Sequence, residues 1–366
     1  VTAHRAGLAA LGNTPLGDVP GDVRRLDLAV LTGIAAFLGS RLPEGGPWTA
    51  DQVADALGAA PRHRWIPGRW LTVLADEALV ESSAPGRYHR PRRYRRAELA
   101  AVRDTLDRAR RGLGYPETLT RYLLESLRLL PEQLRDEVSA QTLLFPDGEF
   151  GVAAAAYRDN LVNAYLNAAA VEYVRRLAPG RTLELGAGTG SLTVGLLPVL
   201  RGCATEYLFT DLSAFFLEEA RVRFGGYAFL RAEVLDFSQD LAAQCGPGPF
   251  DLVIAVNAAH NAPHVGELLA RIRGLLAPGG ALLLVETCRE HHQSLTSMPF
   301  LLSARPGGTR PERRDTRAGT DRTYLTREEW RDSLAAAGLT PRLDLPPVDH
   351  PLAAFSQRLF VAARNP

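Results

Sequence analysis

Residues 182–190 read T-L-E-L-G-A-G-T-G, a short apolar run that ends in a glycine-rich turn. Bare backbone at such a turn lets a ligand approach the carboxyl end of the first strand of an α/β sheet. A dinucleotide site asks for G-x-G-x-x-G, which seats a pyrophosphate on a helix N-terminus. Here Gly186, Gly188 and Gly190 are spaced G-x-G-x-G, and Glu184 stands just before them. A carboxylate at that place repels a pyrophosphate and suits a ligand that carries positive charge. Further on, His260 and Glu286 follow two other apolar runs. A histidine held by a carboxylate has a fixed tautomer and a second ring nitrogen that can take a proton, which is what general base catalysis needs. The plainer alternative is a loop histidine beside a strand-capping acid.

These residues need a sheet to position them, and the apolar runs supply one. Residues 206–211 (E-Y-L-F-T-D) read as the second strand, with Asp211 at its tip to accept from both hydroxyls of a ribose. Residues 227–234 read as the third, followed by Leu235-Asp236-Phe237, where the acid can take the exocyclic amine of adenine and an apolar neighbour can pack on the ring. Residues 250–257 and 281–286 are the fourth and fifth, the last introduced by Pro278-Gly279-Gly280. Runs this apolar suit strands buried on both faces. S-adenosylmethionine answers the whole set, with its sulfonium and ammonium, its ribose and its adenine. The expected cofactor residues are Tyr157, Glu184, Gly186, Gly188, Gly190, Asp211, Leu212, Asp236, Phe237 and Asn257, and the product is S-adenosylhomocysteine. His260 and Glu286, at the tips of neighbouring strands, are the expected catalytic pair, and no metal is expected.

Residues 177–286 resemble a class I S-adenosylmethionine-dependent methyltransferase, and more narrowly the C-methyltransferase domains of polyketide synthases and their nonribosomal hybrids. The matching stretches are L-E-L-G-A-G-T-G-S-L-T at 183–193, Y-L-F-T-D-L-S at 207–213, N-A-A-H at 257–260 and L-L-A-P-G-G-A-L-L-L-V-E at 275–286. L-F-P-D-G at 144–148 and Y-R-D-N at 157–160 extend the likeness upstream. The resemblance implies a Rossmann-like seven-stranded sheet with a terminal antiparallel pair. It also implies that His260 and Glu286 deprotonate the α-carbon of a thioester-bound β-keto chain. Where the family often carries Thr after Ala behind the histidine, this chain has Asn261-Ala262-Pro263.

Composition bounds the rest. The 366 residues suffice for two domains, and 46% hydrophobic with 23% charged residues is a globular balance. No apolar run reaches membrane-spanning length, and the chain start lacks a signal-peptide pattern. Cys203, Cys245 and Cys288 have no metal-ligand spacing and point to a reduced, cytoplasmic setting. Every cationic residue is arginine, which excludes a Schiff-base lysine and pyridoxal phosphate chemistry. The only methionine is Met298, so the first residue is not an initiator and the chain reads as processed, trimmed or cut from something larger.

Residues 1–150 read as a mainly helical, winged-helix-like domain for substrate binding or dimerisation, and 151–366 as the cofactor domain, with 291–323 a lid-like insertion. Helical spacing marks 23–42, 50–57 (capped by Thr49) and 67–79, with a hairpin over 80–89. A long alanine-rich helix covers 153–178, with Tyr157 and Tyr165 on one face, where they could close over the methionine end of the cofactor or simply pack in the core. The run Arg87, Arg90, Arg92, Arg93, Arg95 and Arg96 suits an acyl carrier protein or a phosphopantetheine phosphate, or is a solvated linker. A net charge of +1 argues against nucleic acid as a partner. The leading expectation is carbon methylation of a small or carrier-tethered acyl substrate in natural-product assembly. The alternatives are an O- or N-methyltransferase for a free small molecule, and a winged-helix regulator that senses S-adenosylmethionine.

Overall fold

The computed structural model describes residues 1–146, 151–152, 158–246, 248–304, 308 and 312–365. The chain forms two compact units, one of Val1–Pro15, Leu161–Glu290 and Glu312–Pro366, the other of Leu16–Asn160 and His291–Pro311.

The first unit is built on a sheet of seven strands: β3 (Arg181–Leu185), β4 (Glu206–Asp211), β5 (Leu230–Val234), β6 (Phe250–Val256), β7 (Leu276–Thr287), β8 (Leu339–Leu345) and β9 (Gln357–Arg364), while β1 (Ser82–Ala84) and β2 (Arg87–Tyr88) form a hairpin in the other unit. Their order is β5-β4-β3-β6-β7-β9-β8, parallel from β5 to β7, with β9 antiparallel to both β7 and β8. The order reverses between β3 and β6, and in open α/β sheets the crevice at such a reversal is where ligands bind. The inner strands are apolar on both faces and almost fully buried, Leu252, Val253, Ile254 and Ala255 of β6 among them. Pro278-Gly279-Gly280 does not precede β7 but forms a bulge in it, since Phe250 pairs with Leu276 while Leu252 pairs with Ala281.

The long helix of this unit runs over Leu161–Leu177. It is shorter than the pattern from 153 implies: 158–160 form a turn, and 153–157 lie outside the described residues. Against it packs the helix Thr2–Leu11, where a Cβ on Gly7 would lie 2.6 Å from the Tyr165 ring and His4 Nδ1 is 2.5 Å from the Tyr165 hydroxyl. The first fifteen residues therefore belong with the sheet rather than with a 1–150 domain. Tyr165 is fully buried, stacked on His350 with ring centroids 5.6 Å apart.

The helical unit opens with three helices and a short hairpin. Helices Val19–Arg41, Ala50–Ala56 and Trp65–Asp76 precede an antiparallel hairpin of β1 (Ser82–Ala84) and β2 (Arg87–Tyr88), and Trp48 pairs with Tyr88 beyond it. Thr49 caps its helix in a full capping box with Gln52. The arginine-rich stretch after the hairpin is laid on the first of these helices: a Cβ on Gly39 would stand 2.6 Å from the Arg92 carbonyl oxygen. It is not a free linker.

Residues 291–323 do not form one insertion. His292–Thr296 and Met298–Leu301 are short helices of the helical unit, anchored there by Trp70 Nε1 donating to Leu295 O at 3.0 Å and by Gln293 N donating to Asp27 at 3.0 Å. Residues 312–323 belong to the sheet unit, while 305–307 and 309–311 lie outside the described residues.

Candidate active site

The glycine-rich turn leaves β3 with Gly186, Gly188 and Gly190 all at positive φ (60°, 54° and 65°), a region that costs a side chain strain. A Cβ on Gly186 would sit 2.8 Å from Ala258 Cβ, in the loop that follows β6, so the two loops touch at the sheet's reversal point. A Cβ on Gly188 would meet nothing within 4 Å. The backbone here is closely packed on one side and open on the other, which is what a ligand cradle requires.

The acids are held by neighbours that sequence does not advertise. Glu184 is buried, and its Oε2 accepts from Thr193 Oγ1 at 2.6 Å and Tyr207 OH at 2.7 Å. Burial pushes its pKa up to about 7, against these two hydrogen bonds. A carboxyl kept this far from water fits a cationic ligand, whose charge would restore its ionised form. Asp211 accepts from Gly188 N at 3.0 Å and Ser213 N at 2.8 Å, which ties the glycine turn to the tip of β4. Burial raises its pKa too, opposed by those backbone N–H groups. The Leu212 N–H is a third backbone donor to this carboxyl, which leaves it one further position to accept a hydrogen bond.

Asp236 follows β5 and accepts from Ser238 N and Oγ. Its own backbone is clamped by Gln244, whose Oε1 takes the Asp236 N–H at 2.9 Å while Nε2 donates to the Asp236 carbonyl at 3.0 Å. Nothing in the sequence marks Gln244 for this, because the bond depends on how a short helix returns. Phe237 approaches Gly186, and Leu212 is 54% exposed, so an apolar edge stands beside the acids. Asn257 adopts φ 48° at the end of β6 and accepts from Thr287 Oγ1 at 3.1 Å. Tyr157 lies outside the described residues.

Because β6 and β7 are parallel neighbours in register (Val256 with Val285), the loop that follows β6 meets the carboxyl end of β7. His260 Nδ1 is 2.7 Å from Glu286 Oε2, and Glu286 Oε1 accepts from Ala259 N at 2.8 Å. His260 is 3% exposed and Glu286 fully buried. A carboxylate that accepts at both oxygens puts the imidazole hydrogen on Nδ1 and leaves Nε2 to exchange a proton. The Tyr324 ring lies against the imidazole, centroids 4.8 Å apart. Sequence reading did not anticipate Tyr324.

Comparison with known proteins points to methyltransferase domains. A methyltransferase-domain family profile matches residues 183–282. The chain is 30% identical over 330 residues to pyochelin synthetase PchF of Pseudomonas aeruginosa, a match that covers 86% of this chain and 18% of that protein. The chain thus spans about a fifth of the length of this curated relative. Among solved structures, the CurJ carbon methyltransferase superposes with a TM-score of 0.82 at 24% identity, covering 99% of this chain and 97% of that one. The trans-methyltransferase CalH, solved as a complex with S-adenosylhomocysteine, superposes with a TM-score of 0.64 at 19% identity, covering 94% and 90%.

Proposed function

We propose that this chain, which belongs to the class I S-adenosylmethionine-dependent methyltransferases, methylates carbon in an acyl thioester of polyketide or nonribosomal assembly, with His260 as base and Glu286 as its orienter. The observation that carries the reading is the buried 2.7 Å contact between His260 and Glu286 beside the glycine-rich turn.

S-adenosylmethionine supplies a methyl group already activated on a sulfonium and departs as a neutral thioether. The protein then has two tasks, to align the acceptor and to remove one proton. Glu184 would balance the cofactor's positive charge, Asp211 would hold the ribose, and Asp236 with Phe237 and Leu212 would grip the adenine. Gly186, Gly188 and Gly190 would let the ligand lie on bare backbone, with Asn257 lining the same end of the crevice. His260 Nε2 would take the proton from an acidic C–H between two carbonyls, and the released electron pair would form the new carbon–carbon bond. Glu286 would steady the imidazolium through Nδ1–H. An acceptor that is already a good nucleophile would need no such base.

The likeness to pyochelin synthetase PchF supports an acceptor handled in synthetase assembly for this chain. The test is transfer of a ¹³C-methyl group from S-adenosylmethionine to a β-ketoacyl thioester of N-acetylcysteamine. A product methyl coupled to the α-carbon is expected. Label on oxygen or nitrogen, or no transfer to any β-ketoacyl thioester while a free phenol or amine is methylated, would overturn the reading.

A further inference from the structure

The residues that hold His260 in place include a set beyond Glu286. His260 sits in a three-residue 3₁₀ turn, Ala259–Asn261, without a side-chain cap, and turns of this kind hold themselves weakly. Every carbonyl from His260 to Pro263 is instead captured by the segment 313–317. Arg317 Nη1 donates to His260 O at 2.6 Å, and its Nη2 to Ala262 O at 3.0 Å. Arg313 Nη1 donates to Asn261 O at 2.8 Å and to Ala262 O at 2.9 Å, and Arg314 N donates to Pro263 O at 2.8 Å.

Arg317 is the centre of this set. It is fully buried, and Asp315 meets it at both Nε (2.9 Å) and Nη2 (2.6 Å). Burial would push the Asp315 carboxyl up, yet Arg317 and the Val265 N–H hold it at about 2. The pair is therefore a neutral unit that keeps its charges through the working pH range. Arg317 Nη1 also donates to Thr323 O at 2.7 Å, and Glu290 accepts from Thr323 N at 2.6 Å and Tyr324 N at 3.0 Å. One guanidinium thus joins the loop that carries the imidazole to the turn that carries the ring packed against it.

We propose that Arg317, fixed by Asp315, is a positioning residue for His260 that sets the aim of Nε2 at the acceptor carbon. The inference rests on the reading of His260 as base. A misplacement of about 1 Å at a reacting group can cost about a hundredfold in rate. Lysine, a point charge on a flexible stem, cannot span the same set of oxygens.

The experiment compares Arg317→Lys, Arg317→Ala and His260→Ala in methyl transfer to the β-ketoacyl thioester, with S-adenosylhomocysteine binding measured on each. Arg317→Lys is expected to lower kcat at least about tenfold while KM for the acceptor and the S-adenosylhomocysteine affinity stay within about twofold. Added guanidinium ion should restore part of the kcat of Arg317→Ala, and ammonium ion should not. Combined with His260→Ala, Arg317→Lys should add less than about twofold, since the two would act as one unit. A kcat loss well short of tenfold in Arg317→Lys, or equal losses of kcat and S-adenosylhomocysteine affinity, would overturn the proposal. Should Arg317→Ala fail to fold, Arg317→Lys alone decides. A crippled His260→Ala beside a normal Arg317→Lys refutes only this inference, whereas a normal His260→Ala refutes the base reading itself.

Discussion

At the scale of single residues, the surroundings of the buried acids set their charge. Glu184 has a folded pKa of about 7, raised by burial above an ordinary 4.5. A carboxyl with a raised folded value contributes stability that is complete below about pH 4.5 and lost as pH rises through about 7. Glu184→Gln should therefore flatten the fall in stability between pH 5 and 8, a difference on the order of 3 kcal/mol for such a shift. Paired denaturation curves at the two pH values check this, and identical pH dependence in both proteins would refute it. If the cofactor's cation sits beside Glu184, binding should also release a proton near pH 7, read as a buffer-dependent heat that vanishes in Glu184→Gln. Asp211→Ala removes both the ribose acceptor and the tie to Gly188 N, so calorimetry should show cofactor affinity weaker by about 1.5–3 kcal/mol.

At the scale of elements, two of the three glycines in the turn after β3, Gly186 and Gly188, are expected to fail differently. Gly186→Ala adds positive-φ strain of about 1–2 kcal/mol and drives a methyl into Ala258, so it should lower Tm and disturb the His260 loop. Gly188→Ala adds similar strain but points its methyl into open space, so its main effect should be on cofactor affinity. Equal thermal shifts with equal affinities would refute the cradle. The strands were legible because buried apolar runs such as 250–256 and 281–285 have few other homes, and from their adjacency the meeting of His260 with Glu286 followed. Charged and polar residues in irregular stretches were not legible. Residues 291–323 look like one polar insertion, yet Arg317 is fully buried and Leu295 and Phe300 are core residues of the helical unit. Gln244 and Tyr324 were missed for the same reason: their contacts depend on distant backbone and leave no period in the sequence. The sequence pattern places residues 2–11 within the 1–150 domain, because nothing local records that Gly7 meets Tyr165.

At the scale of the whole molecule, the first fifteen residues should matter to the sheet unit. Deleting them uncovers Tyr165 and removes buried Ala3 and Leu11, and Tm should fall by several degrees at about 2–4 °C per kcal/mol. An unchanged Tm would contradict the packing. The arginine run also divides in the structure. Arg92 is spent on Glu98, with contacts at 2.7 and 3.2 Å, and Arg90 lies 3.6 Å from Glu44, while Arg87, Arg93, Arg95 and Arg96 are exposed. If these four meet an acidic carrier protein, replacing them should raise KM for a carrier-bound acyl chain and spare a truncated thioester; equal losses on both would refute that role. Among the described residues no helix is long and apolar enough to cross a membrane. All of these features serve one central claim, that a histidine and a glutamate remove the proton that makes carbon a nucleophile. Single-turnover methyl transfer to a β-ketoacyl thioester by His260→Ala, Glu286→Gln and the double variant tests it most directly. The expected result is a loss of roughly a hundredfold to ten-thousandfold in His260→Ala with cofactor affinity intact, a similar or milder loss in Glu286→Gln, and a double variant little worse than His260→Ala. Near-normal turnover by His260→Ala would contradict the account and leave alignment alone as the source of catalysis.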